Sequence, residues 1–342
     1  MRGAFPTRKT TAKDVAAAAG VSTSTVDRVL NGRGGVDPDK ERRVVEWARK
    51  LKLDRALDQR QARTLRVAAL IQPPENPYHA ALQRAFEAAN RLYADLNMQV
   101  RVFHFDPNAP KRTGARIGEL AAGHDGLIVC CPQSPEAAVA LRRFSERGPA
   151  ITLATDIRDS GRIAYVGPDN RQAGRVAGDL MGRFLRPAGG DVIVIAGLLS
   201  MIGHEEREAG FRSVLRERYP ECRVAEVLES QERGERAGDL VYDALKRNAR
   251  VRGVYNASAG ARTVVEAMRA VGRAQDIAFI THELTEERRA LLREGLIDAI
   301  IDQNPEFEVR TAVETMARHF GRLDAAPVST VTPINIHMIE NC

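Results

Sequence analysis

The sequence lacks several features that define large protein classes. Its 342 residues contain no run of about 18 consecutive apolar residues, the length that a membrane-spanning helix requires. Residues 1–6 do not lead into the apolar stretch of a secretory leader. We therefore expect neither a membrane span nor secretion, and we predict a cytoplasmic protein.

Cysteine is scarce, and the motifs of metal and enzyme chemistry are missing. The four cysteines show no C-x-x-C spacing and no neighbouring His pair, so neither a disulfide framework nor a zinc site is expected. His282-Glu283-Leu284 does not continue as H-E-x-x-H, and no P-loop, G-x-S-x-G or G-x-G-x-x-G follows a strand pattern. We expect no metal, no cofactor and no enzyme activity.

Positive charge is concentrated in the first fifth of the chain. Residues 1–66 contain 16 Lys and Arg against 8 Asp and Glu, whereas residues 67–342 contain 35 against 37. A basic segment ahead of a near-neutral body is typical of a module that binds a polyanion, because Lys and Arg displace counterions from phosphates. The composition, 44% hydrophobic and 28% charged, is that of a folded chain with more than one domain.

The basic segment has the pattern of a helix-turn-helix. Thr11 and Asp14 resemble a capping box, which starts a first helix near residue 12. Gly20 suits the left-handed turn that ends this helix, and Ser22 is placed to cap a second helix over residues 23–31. A third helix is predicted from Pro38, with an apolar stripe at Val44, Ala48 and Leu51.

Residues 14–31 read D-V-A-A-A-A-G-V-S-T-S-T-V-D-R-V-L-N, which resembles the DNA-binding headpiece of the lactose-repressor (LacI) family. Asp27, which replaces the usual Ser, is the one departure. The resemblance implies that Thr23, Ser24 and Arg28 meet base edges in the major groove. It places Ser22, Thr25 and Asn31 at phosphate-contacting or turn positions. An Arg binds guanine bidentately, which fits this assignment, although Arg28 paired with Asp14 or Asp27 is the alternative.

The family's hinge helix is less recognisable. Its Pro-Asn pair is absent from residues 52–64, and the segment is a few residues short. Leu57 is either the residue that wedges into the minor groove at the operator centre or an apolar contact in a linker. We predict a helix-turn-helix domain over residues 1–53, a hinge over 54–64 and an effector-binding domain over 65–342.

From residue 65 onward, short apolar runs alternate with amphipathic helical stretches, which predicts parallel sheets. This body resembles the ribose-binding type of periplasmic binding protein, through Asn76-Pro77-Tyr78, residues 124–129, 165–170 and 206–211, and residues 302–305. The implied fold class is an all-α headpiece followed by a two-lobe α/β type I domain with three crossovers. These lie near residues 166–169, 303–305 and 324–328. Lobe one would comprise about 65–166 and 305–324, and lobe two about 168–303 and 328–342.

The same resemblance implies an effector site in the cleft between the lobes. Tyr78 and His79 sit where aromatic rings stack on a sugar, while Arg207 and Gln303 sit at positions that bind ligand hydroxyls. Elsewhere the family pattern is altered, and the candidates for the remaining contacts are Asp156, Asn256, Ser258, His282 and Glu283. The alternatives without a ligand role are core packing for Tyr78, a solvated helical charge run for Arg207 and a strand-end pair for His282-Glu283.

The function that these features imply is a homodimeric DNA-binding transcriptional regulator. We predict a repressor of sugar or polyol genes that a small polyhydroxyl effector releases from a palindromic operator. A corepressor-type sensor of a purine or another non-sugar metabolite is the alternative. A transport-type sugar-binding protein is a more distant one.

Overall fold

The structure, a computed structural model, describes residues 10–31, 33, 35–51, 53, 63–323 and 330–342. The chain divides into two compact units, residues 1–64 and 65–342. Leu57 and most of the predicted hinge lie outside the described residues, as does the third predicted crossover. Within the described part, no helix is long and apolar enough to cross a membrane.

The first unit is the predicted three-helix headpiece. Its helices are α1 (Ala12–Ala19), α2 (Thr23–Leu30) and α3 (Pro38–Lys50). Asp14 Oδ2 accepts from the backbone N of Thr11 at 2.8 Å, and Gly20 ends α1 in the left-handed region with φ 65°. Val15, Val26 and Val44, one from each helix, are fully buried and form the small core. Leu51, predicted for the same apolar stripe, is partly buried against this core.

The second unit begins with a parallel five-stranded sheet in the order β2-β1-β3-β4-β5. Its strands are β1 (Leu65–Ile71), β2 (Met98–His104), β3 (Gly126–Val129), β4 (Ala150–Leu153) and β5 (Ala164–Val166). Its helices are α4 (Pro77–Leu92), α5 (Pro110–Gly123) and α6 (Pro135–Ser145). Val67 and Ala69 of β1 join one core while Ala68 and Leu70 join another, because successive side chains point to opposite faces. This sheet is therefore buried on both sides, as a parallel sheet requires.

The chain then crosses to a second sheet, ordered β11-β10-β9-β8-β6-β7. Its strands are β6 (Gly190–Ala196), β7 (Cys222–Glu229), β8 (Val251–Asn256), β9 (Ala278–His282), β10 (Ala299–Asp302) and β11 (Asn335–His337). The helices here are α7 (Asn170–Leu185), α8 (Ile202–Arg218), α9 (Gly234–Arg247), α10 (Ala261–Ala270) and α11 (Glu286–Arg293). The last helix, α12 (Pro305–His319), returns to pack on α4 of the first lobe.

The predicted two-lobe fold with parallel sheets is confirmed, with two additions. The first crossover joins β5 to α7 and the second joins β10 to α12, both where the sequence placed them. Strands β5 and β11 have three residues each, which gives too little hydrophobic alternation to predict them from the sequence. Strand β11 pairs antiparallel with β10 and forms an edge of the otherwise parallel second sheet.

Two glycines allow α7 and α8 to pack at very short range. A Cβ added at Gly174 of α7 would overlap the carbonyl oxygen of Arg207 in α8, and one added at Gly210 of α8 would overlap that of Arg171. These glycines are needed for the close approach of two backbones rather than for a turn. This contact sets the position of α8 relative to α7, and with it the position of Arg207.

We predict that Gly174→Ala lowers the free energy of unfolding by about 1–3 kcal/mol, because the added methyl group forces the two helices apart. Gly118→Ala in α5 is the matched control, since nothing lies within 4 Å of the added atom. The control should raise stability by about 0.5–1 kcal/mol, because alanine reduces the flexibility of the unfolded chain. Urea unfolding of both variants checks this, and equal effects would show that the α7–α8 contact tolerates a side chain.

Candidate functional site

The second helix of the headpiece presents a polar face to solvent. Ser22 caps it by accepting from the backbone N of Thr25 at 3.1 Å, and its hydroxyl also lies 2.8 Å from those of Ser24 and Thr25. Thr23 is exposed and Thr25 is half-buried. Because Val26 is buried behind this face, the side chains that the sequence assigned to DNA point away from the core.

Asp27, the one departure from the family pattern, is occupied within the headpiece. Its carboxylate accepts from Asn31 Nδ2 at 2.6 Å and from Arg33 Nη1 at 3.0 Å. Asp27 therefore pairs with Arg33. Asp27 was one of the two carboxylates considered as an ion-pair partner for Arg28, and it does not take that role. The exposed Arg28 side chain instead lies over Gly35, where an added Cβ would come within 2.8 Å of its Nη2 atom. An exposed guanidinium group therefore stands on the polar face of the second helix.

The second unit contains a small, partly open cavity between its two lobes, with about 40 Å³ of space for water-sized molecules. Part of its wall is formed by residues at or just beyond the ends of parallel strands, as expected for α/β folds. Gln72, Cys130 and Ala154 follow strands of the first lobe, while Ser258, Glu283 and Gln303 follow strands of the second. The carboxyl edges of the two sheets thus face each other across the cavity.

Six of the nine residues predicted to contact an effector line this cavity: Tyr78, His79, Arg207, Ser258, Glu283 and Gln303. Tyr78 and His79 come from the start of α4, where Asn76 caps the helix by accepting from the backbone N of Tyr78 at 3.1 Å. Their rings meet edge to face, with centroids 5.4 Å apart.

Asp156 does not line the cavity. Its carboxylate accepts two hydrogen bonds of 2.5 Å from the Arg162 guanidinium, one from Thr152 Oγ1 at 2.7 Å and one from the backbone N of Ile157 at 2.8 Å. These bonds hold its pKa below the usual value despite partial burial. Its neighbour Thr155 lines the cavity instead, so the position assigned to Asp156 is off by one residue.

Asn256 and His282 are fully buried behind the wall rather than in it. Asn256 Oδ1 accepts from the backbone N of Ser258 at 3.0 Å, which holds the turn that presents Ser258 to the cavity. His282 Nε2 lies 2.7 Å from the Tyr255 hydroxyl. Both residues support the site from outside the cavity.

Several wall residues were missed by the sequence analysis, among them Gln72, Asn76, Thr155, His204 and Glu232. Thr155 and Glu232 lie just beyond strands β4 and β7, so their position at the carboxyl edge was a usable signal. Glu232 also crosses the cleft, since its Oε2 atom accepts from Asn76 Nδ2 of the other lobe at 2.8 Å.

Arg207 is the central cation of the cavity. It is 3% exposed, and its Nε donates to Asn170 Oδ1 at 2.8 Å. Asn170 in turn donates to the carbonyl of Ala154 in the first lobe at 3.0 Å. Arg207 Nη1 lies 4.0 Å from Glu283 Oε1. A buried guanidinium needs such partners, and these fix the side chain where it faces the cavity.

Glu283 is held by a second buried arginine. Its Oε2 accepts from Arg288 Nη1 at 2.8 Å, and its Oε1 accepts from Gln303 Nε2 at 3.3 Å. Arg288 also donates to the carbonyl of Ser258 at 3.0 Å. Burial raises the pKa of Glu283, while the two arginines oppose that rise. This network joins three of the strand ends that form the second-lobe wall.

Burial controls the charge of the other titratable groups. It lowers the pKa of His79 and of His204 to about 3, so both imidazoles are neutral at neutral pH. Burial also raises the pKa of Glu232 to about 7, with Glu283 as a further cause. Glu308 accepts from the Tyr78 hydroxyl at 2.5 Å, and burial raises its pKa to about 8.

The cavity wall also carries strained backbone. Ala154, Glu232 and Glu283 line it with φ values of 60°, 61° and 56°, in the left-handed region that non-glycine residues avoid. Asn304, next to Gln303, has φ 56°. Such strain concentrates at ligand sites, where surrounding contacts hold it in place.

We predict that stability falls as pH rises from about 5 to about 8, since the folded chain keeps a proton on Glu308 that the unfolded chain has lost. Each such carboxyl contributes up to about 1.4 kcal/mol per pH unit in this window. Glu308→Gln keeps an acceptor for Tyr78 without the titration, so its unfolding midpoint should depend less on pH. Glu306→Gln, exposed on the same helix, is the control, and an unchanged pH slope in Glu308→Gln would contradict the prediction.

Comparison with known proteins places both units in families. Residues 11–52 match the bacterial regulatory proteins of the lacI family, and residues 67–322 match the periplasmic binding protein domain. The second match covers most of the chain and includes every residue of the cavity wall.

Individual relatives agree with this division. Catabolite control protein A of Priestia megaterium is 25% identical over 237 residues, which are 68% of this chain and 66% of that protein. The D-ribose/D-allose-binding protein of Pseudomonas aeruginosa is 22% identical over 74% of this chain and 82% of that protein. The crystal structure of a Caulobacter myo-inositol binding protein superposes with a TM-score of 0.74 and 22% identity, covering 82% of this chain and 95% of the other.

The predicted architecture and the predicted family are therefore confirmed together. With a lacI-type helix-turn-helix ahead of a periplasmic binding protein domain, the chain belongs to the LacI family of DNA-binding transcriptional regulators.

Proposed function

We propose that this regulator is a cytoplasmic homodimeric repressor, without enzyme activity, that a small polyhydroxyl effector releases from a palindromic operator. The observation that carries the proposal is the partly open cavity between the lobes, which polar side chains of both lobes line. Its polar groups converge from helix α8, which carries Arg207, and from three strand ends, which carry Ser258, Glu283 and Gln303. Such groups hold adjacent hydroxyls through paired hydrogen bonds.

The relatives support a sugar or polyol as the effector class. One relative is named for binding D-ribose or D-allose, and another for binding myo-inositol. In this chain Tyr78 and His79 supply ring surface at one side of the cavity, against which the apolar face of a sugar ring packs.

In this proposal, ligand binding affects operator binding because the ligand closes the two lobes. Tyr78, His79 and Thr155 belong to the first lobe, whereas Arg207, Glu232 and Glu283 belong to the second. A ligand that bridges the two sets favours the closed arrangement by the difference in its affinity for closed and open states. If closure changes the spacing of the headpieces in the dimer, ligand and operator weaken each other's binding by the same factor, typically about 1–3 kcal/mol.

A purine-sensing corepressor is the second candidate. The edge-to-face pair of Tyr78 and His79 also suits a flat heteroaromatic ring. Calorimetric titration of the full chain with pentoses, hexoses, polyols and nucleobases separates the two, and repeating it with operator present gives the sign of the coupling. Duplexes selected by the purified chain from a random pool supply the operator.

Arg28→Ala should weaken binding to the selected operator by about 1–3 kcal/mol, because one bidentate contact to a base is lost. Binding to an unrelated duplex should weaken less, and ligand affinity should not change. Arg42→Ala removes the same charge from an exposed position of α3 and is the control. Fluorescence anisotropy on both duplexes checks this, and equal losses on the two duplexes would refute a base-reading role for Arg28.

Arg207→Lys should leave operator affinity intact but lower ligand affinity at least about tenfold, because lysine keeps the charge without the planar pair of donors. A higher ligand concentration is therefore needed to release the variant from the operator. Arg212→Lys, on the exposed side of the same helix, is the matched control. Operator release titrated with the effector is the measurement, and a normal response in Arg207→Lys would remove Arg207 from the ligand site.

A further inference from the structure

Some polar side-chain atoms in and near the cavity wall have no hydrogen-bond partner. Among the described residues of its wall, the fully buried side-chain atoms without a hydrogen-bond partner are Glu232 Oε1 and Gln303 Oε1. Glu308 Oε1, behind Tyr78, also has no hydrogen-bond partner. A buried polar atom without a partner costs free energy, so a ligand that fills this space gains by supplying donors.

Glu232 combines a buried side chain, a strained backbone and an unpartnered carboxylate oxygen. Its side chain is only 6% exposed, and its backbone, with that of Gln231, is held in the left-handed region at φ 61° and 57°. One carboxylate oxygen is used by Asn76, and the other has no hydrogen-bond partner. His204 Nδ1 lies 3.5 Å from Glu232 Oε1, and it also lies 3.2 Å from both the backbone N and the carbonyl oxygen of Leu198. Burial lowers the pKa of this imidazole to about 3, so it is neutral at neutral pH.

The two guanidinium groups near the cavity are directed at residues other than Glu232. Arg288 forms an ion pair with Glu283, while Arg207 donates to Asn170 and lies 4.0 Å from Glu283. Burial raises the pKa of Glu232 to about 7, so its carboxyl group exchanges its proton near neutral pH, and a cation bound beside it would favour the ionised form.

We propose that the effector carries a protonated amine, as in an amino sugar or an aminocyclitol, and that Glu232 is its counter-ion. This inference rests on the proposed function, since it names the chemical class of the effector in the same cavity. An ammonium group supplies three donors and one positive charge, which matches the unpartnered oxygen of Glu232. Because Glu232 also bonds to Asn76 across the cleft, the amine binds where the two lobes meet.

The test compares three forms of each sugar by calorimetry at neutral pH on the full chain. D-Glucosamine, D-galactosamine and D-mannosamine are titrated beside their parent hexoses and their N-acetyl derivatives. One amine should bind about tenfold or more tightly than its parent and its uncharged N-acetyl form. If no amine binds more tightly than its parent, including the case in which no amine binds, the inference is wrong.

Glu232→Gln assigns the effect to this carboxylate. The variant should lose the preference for the amine over its parent hexose. Glu235→Gln, an exposed glutamate three residues further along, makes the same change and should keep the preference. An amine preference that survives in Glu232→Gln would overturn the role of Glu232.

A measurement without ligand separates a binding role from a structural one. At pH 8, Glu232→Gln should raise the thermal midpoint of the ligand-free chain, because a neutral amide replaces a buried carboxylate that lacks a full set of partners. A lower midpoint would show that the carboxylate stabilises the fold and would count against the inference. The proposed function fails on a different result, namely that no ligand which binds the cavity changes operator affinity.

Discussion

The buried guanidinium group of Arg207 is the constraint on which the arrangement of the cavity depends. A charge removed from water must be paired, and here Asn170 and Glu283 provide the partners. Asn170 also binds the first lobe through the carbonyl of Ala154. The glycine contacts between α7 and α8 hold Arg207 in the position where it can form these bonds. One side chain thus connects helix packing in the second lobe to the wall of the first.

The cavity wall contains several features that cost folding free energy. Its wall combines left-handed backbone at Ala154, Glu232 and Glu283 with buried carboxyl groups whose protons are retained to unusually high pH. Each feature costs free energy that the surrounding sheets and helices offset. Proteins tolerate such costs where a ligand recovers part of them, which is why strain and unsatisfied groups point to the same place.

The success of the sequence analysis differed between the two units for a physical reason. Headpiece elements are set by local signals, such as the cap at Ser22 and the left-handed Gly20, and these were readable from the sequence. In the cleft, Asp156 was misplaced because half-buried Arg162, six residues on, binds its carboxylate, which no spacing rule indicates. Asn256 and His282 occupy the expected strand ends but lie behind the wall, because a one-residue change reverses the side of a strand that a residue faces.

The sequence by itself determined the helix-turn-helix, the alternation of strands and helices, and the family to which both belong, because these depend on periodicity and on short local motifs. Only the tertiary structure decided which strand-end residues enter the cavity and what charge they carry. Glu232 and Asn76 are 156 positions apart, and their contact exists only because two lobes meet. Burial, which sets the pKa values of Glu232, Glu308 and both cavity histidines, is likewise a property of packing and not of sequence order.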